Sequence, residues 1–206
     1  AVADTDDDDY TRLQFDRFMS QIDELKKMGI TFEKRHICNS AGIMRFPEMH
    51  LDMVRAGIIL YGLTPPGCPK PKCDINLVPV MSWYAKVIHV KTIPEGTSVS
   101  YGRNFVAKRP TKVITVSVGY ADGLSRRFSN GFELIVHGKR LPIIGNVCMD
   151  MCMLDASDLE EEVNKGDIVE IFGKARSADE LADYLGTINY EITCDVGKRV
   201  QRIFVE

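Results

Sequence analysis

Residues 64–74 read Thr-Pro-Pro-Gly-Cys-Pro-Lys-Pro-Lys-Cys-Asp, with prolines at 65, 66, 69 and 71. Proline fixes φ, removes a backbone donor and restricts the residue before it, so this stretch can be neither helix interior nor paired strand. It reads as a surface linker, and the chain changes character across it. With 206 residues, 45% of them hydrophobic, there is enough chain for two small domains that each bury a core. The expected division is 1–74 and 75–206.

Before the linker, helical and strand patterns alternate. Tyr10 to Met28 carries Leu13, Phe18, Ile22 and Leu25 near helical spacing, and Gly29 marks a stop. A short strand is expected at 35–40 (RHICNS), a short helix around Pro47 to Met53, and a buried strand at 56–62 (AGIILYG). Strand, helix, strand with nearly continuous apolar strands belongs to a parallel α/β sheet or barrel. After the linker, MSWYAKVIHVKTI, TKVITVSVG, FELIVHGKRLPIIG and DIVEIFG read as strands, with VHGKR as a tight hairpin turn. One helix interrupts them at SADELADYLG, where Ser177 and Glu180 have capping-box spacing and Gly186 provides the exit. Many short strands in succession indicate a β-barrel or sandwich. The fold class expected is therefore α/β plus mainly β.

Charge excludes some functions. Lys and Arg total 26 against 29 Asp and Glu, with no basic stripe, so no nucleic-acid partner is expected. The acidic run Asp4 and Asp6 to Asp9 reads as a solvated loop or helix entry. No apolar stretch reaches the length of a membrane span and no secretory signal opens the chain, so a cytoplasmic protein is expected. The chain does not start with methionine, which suggests a piece of a longer polypeptide. Cys38, Cys68, Cys73, Cys148, Cys152 and Cys194 lack the paired spacing of a zinc site and read as reduced, mostly buried thiols. No metal is expected.

Several residues sit where packing alone does not call for them. Ser40 follows a strand candidate and suits either a phosphate or a helix N-cap. Arg55 enters an apolar stretch and needs a partner for its charge, a ligand or a salt bridge, while Gly57 allows close backbone approach. Tyr101 lies between Ser100 and Gly102, where a packed strand would not put its one large ring. Tyr120 and Asp122 stand between Gly119 and Gly123, as a turn or as part of a site. GNVCMDMCMLD packs Met149, Asp150 and two thiols together, which suits a core strand; a soft metal would want a nearby histidine. Tyr190 stands beside Glu191 after the helix exit.

In their order and spacing, NSAG, VRAGIILYG, VSYGRNF, VSVGYADGLSRR, GNVCMDMCMLD and INYEITC resemble the alanine racemase family over essentially the whole chain. The resemblance implies a fold-type III enzyme using pyridoxal 5'-phosphate. Residues 1–74 would be the C-terminal portion of a (β/α)8 barrel, followed by a mainly antiparallel β-barrel-like domain. Tyr101 would be one of two catalytic bases that exchange the α-proton of alanine on opposite faces. A phenol with an ordinary pKa of about 10 needs nearby positive charge or hydrogen bonds to serve as a base. Arg55 would face the pyridine nitrogen and keep it unprotonated, giving a weaker electron sink and few side reactions. Ser40, Gly57, Ile58 and Tyr190 would hold the phosphate. Met149, through its backbone, and Asp150 would meet the substrate, and Tyr120 would line the entry. The family works as a head-to-tail homodimer with shared active sites and supplies D-alanine for peptidoglycan.

Two family features have no counterpart. No segment resembles V-K-A-N-A-Y-G-H-G, which carries the Schiff-base lysine; Lys26, Lys86 and Lys174 stand in other contexts. The family's histidine in T-H-F-A is not matched by His36, His50, His89 or His137. The expectation is a C-terminal part that is inactive alone. Two alternatives are a racemase for serine or another small amino acid, and a non-catalytic β-domain binding module, against which Tyr101 and Arg55 argue.

Overall fold

The computed structural model describes residues 3–69, 73 and 75–205. Of the expected linker, Lys70, Pro71, Lys72 and Asp74 lie outside the described residues. The chain divides into two compact units, Ala1–Val80 and Met81–Glu206. The break falls later than position 74 because the segment after the linker packs back on the first unit. Val80 N–H donates to the Tyr61 carbonyl at 3.1 Å. Gly62, at φ +72°, lies so close to this segment that a Cβ would be 1.8 Å from the Val78 oxygen.

In the first unit, helix α1 spans Asp8–Lys27. The acidic run is its entry: Asp7 accepts from the Tyr10 N–H at 2.9 Å, and Asp8 and Asp9 face the positive end of the helix dipole. Met28 and left-handed Gly29 end it. Of the periodic residues, Phe18, Ile22 and Leu25 are half-buried and Leu13 is exposed.

The chain then runs extended through 34–39, turns through α2 (Ser40–Arg45) and a 3-10 turn (Pro47–Met49), and is extended again before Gly57. The two extended stretches lie parallel. Asp52 N–H donates to the Arg35 carbonyl at 3.1 Å, and Arg55 N–H to the Cys38 carbonyl at 3.0 Å. The segment expected as a strand at 35–40 is thus extended but not part of a longer ladder. The strand expected at 56–62 is a 3-10 turn, Ile58–Tyr61. A four-residue apolar run does not distinguish the two, and Gly57 (ψ −103°) and left-handed Gly62 break the extension on either side. Ala3, Cys38, Ala41, Phe46 and Met49 form this unit's core. Buried Arg45 pairs with Asp8 and donates to the Ala3 carbonyl at 2.8 Å, so its charge is compensated.

The second unit holds strands β1 (Trp83–Ile93), β2 (Ser98–Val99), β3 (Phe105–Val106), β4 (Thr111–Val116), β5 (Glu133–Val136), β6 (Lys139–Pro142), β7 (Cys152–Asp155) and β8 (Ile168–Phe172). Six form one antiparallel sheet in the order β6-β5-β8-β1-β4-β7. A bridge between Ile143 and Leu154, with Ile144 N–H donating to the Met153 carbonyl at 2.8 Å, joins the two edges. The sheet is therefore a nearly closed barrel, the first of the two architectures, barrel or sandwich, that the run of short strands left open. Irregular register at Trp83/Tyr84 and Val87/His89 lets long β1 bend between two neighbours. Ile114, Val116, Leu134, Leu154, Val169 and Ile171 fill the interior at 0% exposure. The VHGKR turn has positive φ at both His137 (48°) and Gly138 (74°), the geometry a two-residue hairpin needs.

Helix α3 (Ala178–Leu185) has the expected ends. Ser177 accepts from the Glu180 N–H and left-handed Gly186 follows. The Glu180 side chain, however, binds Arg140 at 2.9 Å. A second helix, α4 (Asn189–Asp195), was not expected. Its Thr and Ile residues favour strands, but Asn189, Ile192 and Thr193 are buried and Asn189 donates to Asp179 at 2.6 Å, so packing on α3 overrides propensity.

Candidate active site

In the first unit, Asn39 is the N-cap of α2, accepting from the Gly42 N–H at 2.9 Å. Ser40 is therefore not the cap, and its hydroxyl is free for other work. It accepts from the Gly57 N–H at 2.9 Å, across 17 residues of sequence. Gly57 and Ile58 open the 3-10 turn; with the Gly57 N–H engaged on Ser40, the Ser40 hydroxyl proton and the Ile58 N–H converge there. That is a set of groups suited to an anion.

Arg55 sits on the second extended stretch. Its guanidinium contacts His36 Nδ1 at 2.6 Å and donates to the Ile37 carbonyl at 3.2 Å. Among the described residues these are its partners, and neither is a carboxylate. Among the described residues the cation is oriented but meets no carboxylate, which favours a ligand over a salt bridge. His36 was missed because it was weighed only against a histidine motif. The signal that finds it is geometric: parallel pairing of 35–38 with 52–55 sets it beside Arg55.

In the second unit, Tyr101 opens a 3-10 turn, Tyr101–Arg103, with Ser100 at φ +66° and Gly102 at φ +74°. Its backbone is pinned. Asn146 donates to the Tyr101 carbonyl at 2.7 Å, and the Ser100 hydroxyl donates to the Asn146 carbonyl at 2.7 Å. The side chain stands 77% exposed. A rigid backbone carrying a free phenol is what a base needs in order to meet a substrate. Tyr101, Tyr120, Met149 and Asp150 line one concavity of about 400 Å³, together with Arg126 and Asn146. The last two were not anticipated.

Three loops build this wall. Asp122, nearly buried, accepts from the Gly119 N–H at 2.8 Å and from Arg199 Nε at 2.7 Å. Tyr120 N–H donates to the Cys148 carbonyl and Ala121 N–H to the Met149 carbonyl, both at 3.0 Å. Asp150 binds Arg199 Nη2 at 2.5 Å. These bonds, led by the one to Asp150, hold the Arg199 guanidinium above its usual pKa. At Gly119 a Cβ would lie 2.3 Å from the Cys148 oxygen and 2.4 Å from that of Met149. Gly119→Ala is therefore expected to cost about 1–3 kcal/mol by overcrowding. Its thermal midpoint should fall, and an unchanged midpoint would show that the loops separate freely.

Tyr190 is the second residue of α4 and half-buried. All six cysteines are free thiols; Cys38 and Cys152 are buried, Cys194 is exposed and the rest are intermediate. Burial pushes the Cys38 and Cys152 thiols up, away from reactivity. Among the described residues no cluster of His, Cys, Asp and Glu is arranged to hold a metal, and no helix is long and apolar enough to cross a membrane.

Residues 1–65 match the family description "Alanine racemase, N-terminal domain", and residues 80–204 match "Alanine racemase, C-terminal domain". The chain belongs to the alanine racemase family. The two matches flank the linker. An alanine racemase of Methanococcus maripaludis is 46% identical over 209 residues, covering 100% of this chain and 55% of its own length. One of Desulforamulus reducens is 46% identical over 206 residues, with the same coverage of both chains. Among solved structures, Bacillus anthracis alanine racemase with bound L-Ala-P superposes with TM-score 0.92 at 39% identity, covering 100% of this chain and 53% of that one. Bartonella henselae alanine racemase with covalently bound pyridoxal phosphate gives 0.85 at 31% identity, covering 100% and 55%. This chain thus spans about half the length of the alanine racemases it matches.

Proposed function

We propose that this chain is part of a pyridoxal 5'-phosphate enzyme that interconverts L- and D-alanine, with Tyr101 as one of two bases. The observation that carries the reading is Tyr101 itself, its backbone fixed by Asn146 and its phenol exposed at the mouth of a concavity. A binding module has no use for that arrangement. The bound L-Ala-P and pyridoxal phosphate of the two solved relatives support it.

The chain's residues fit both polar ends of the cofactor. The Ser40 hydroxyl proton and the Ile58 N–H suit the phosphate; the Gly57 N–H, which here donates to Ser40, is proposed to turn to it, and Tyr190 is proposed as a further hydroxyl donor. Arg55, oriented by His36 and the Ile37 carbonyl, suits the ring nitrogen as a permanent cation that donates a hydrogen bond without giving up a proton. When bound, the cofactor withdraws electron density from the substrate Cα and acidifies its proton. Tyr101 takes that proton on one face or returns one to it. Met149 uses its carbonyl on Ala121, and its N–H is proposed to meet the substrate carboxylate. Asp150 borders the same place, and Tyr120 the entry.

Residues 1–74 are proposed as the last part of a (β/α)8 barrel. The opposing base is proposed to be a lysine in a segment not among these residues. The assembly is proposed as a head-to-tail homodimer in which Tyr101 and Met149 of one protomer serve the cofactor of its partner. Exposure of Tyr101, Tyr120 and Met149 at 77%, 46% and 54% accords with a face that a second copy covers. The setting is proposed to be the cytoplasm, feeding peptidoglycan synthesis. The test is a racemase assay on the complete gene product with added pyridoxal phosphate. Alanine turnover well above serine turnover is expected; preference for serine would replace the substrate, and no turnover of either would overturn the reading.

A further inference from the structure

Arg199 lies beyond α4, far in sequence from Tyr101, yet its guanidinium joins two of the loops that wall the concavity. Nε donates to Asp122 Oδ1 at 2.7 Å and Nη2 to Asp150 Oδ1 at 2.5 Å. Asp122 in turn fixes the turn that carries Tyr120, through the Gly119 N–H at 2.8 Å. Gly197 N–H donates to the Asp122 carbonyl at 2.7 Å, and a Cβ on Gly123 would lie 2.1 Å from the Asp195 oxygen. The loop at 147–151, the turn at 119–123 and the segment at 195–199 are thus laced together, and one side chain spans the two carboxylates. A planar fork can do this in fixed geometry, whereas an ammonium is a point charge.

We propose that Arg199 is a positioning residue for the substrate. It neutralises Asp150 at the rim of the concavity and holds the Met149 main chain in register with Tyr120. This rests on the reading that Met149 meets the substrate carboxylate. With Arg199 absent, the Asp150 carboxylate stands uncompensated where an anionic group must dock. Repulsion there weakens binding of the ground state and the transition state alike, so the loss falls on KM and not on the proton transfer at Tyr101.

The test uses the complete enzyme carrying Arg199→Gln, Arg199→Lys, and Arg199→Gln combined with Asp150→Asn. For Arg199→Gln, KM for alanine should rise about tenfold, the size of a lost charge-assisted hydrogen bond, with kcat little changed. Amide exchange at Tyr120 and Ala121, which bond to Cys148 and Met149, should quicken. Arg199→Lys should recover part of both effects. Adding Asp150→Asn to Arg199→Gln should bring KM back down, because the repelling charge has gone. An unchanged KM with unchanged exchange overturns the proposal. So does a parallel fall of kcat and thermal midpoint at constant KM, which is the mark of a merely structural arginine. If the unaltered enzyme does not turn over alanine, the proposed function fails. Amide exchange then decides alone whether Arg199 laces the loops.

Discussion

Tyr101→Phe in the complete enzyme is expected to lower racemisation by about 10²–10⁴-fold, the span a positioned general base contributes. The substitution removes one oxygen and leaves the loop intact. The bonds that fix the turn run through the Tyr101 carbonyl, the Asn146 side chain and the Ser100 hydroxyl, none of which it touches. The ring is 77% exposed, so little packing is lost and the thermal midpoint should hold. The direction of the defect matters as much as its size. A base on one face serves one enantiomer's α-proton, so exchange of that proton with solvent should collapse for one enantiomer and persist for the other. Equal loss for both would remove Tyr101 from its place as a one-face base.

The exposed setting of Tyr101 was legible because a large ring between Ser100 and Gly102 contradicts packing, and the structure resolves that contradiction with a pinned turn of positive φ at both neighbours; the role proposed for it came from the family resemblance. The hairpin at His137-Gly138 and the ends of α3 were legible for a similar reason. Local chemistry there admits few conformations: positive φ at two consecutive residues, a hydroxyl before a helix, a glycine after it. The nearly closed barrel was foreshadowed by strand count, but its closure at Ile143 and Leu154 depends on a pairing that no local pattern marks.

The strand expected at 56–62 and the helix not anticipated at α4 share a physical cause. At 56–62 and 187–194 the sequence holds short apolar or β-branched runs that suit more than one backbone, and neighbours decide. Gly57 and Gly62 turn the first into a 3-10 helix, and burial of Asn189, Ile192 and Thr193 makes the second α-helical. At Asn39-Ser40 two good caps stand side by side, and only the structure shows that Asn39 takes the helix and Ser40 takes Gly57. The network of Asp122, Asp150 and Arg199 was invisible for another reason. Asp122 and Asp150 were singled out, but their partner Arg199 lies 77 and 49 residues away and carries no local signal that joins them.

Arg55→Glu tests the role proposed for the first unit. The arginine's contacts at His36 Nδ1 and the Ile37 carbonyl fix where its charge points. If Arg55 faces the cofactor ring as proposed, a glutamate in its place reverses the sign of the charge there and favours protonation of the ring nitrogen, which guanidinium cannot bring about. Loss of a preorganised charge of this kind is expected to slow racemisation by about 10²-fold. The stronger electron sink that results should also raise the share of side products per turnover. His36 separates this electrostatic account from simple misfolding, because a glutamate can still pair with the imidazole and keep the two extended stretches together. The variant should therefore retain its fold and bind the cofactor with altered absorbance. If racemisation and product partition match the unaltered enzyme, the charge at position 55 has no part in the chemistry. Arg55 would then be only a brace between the two stretches.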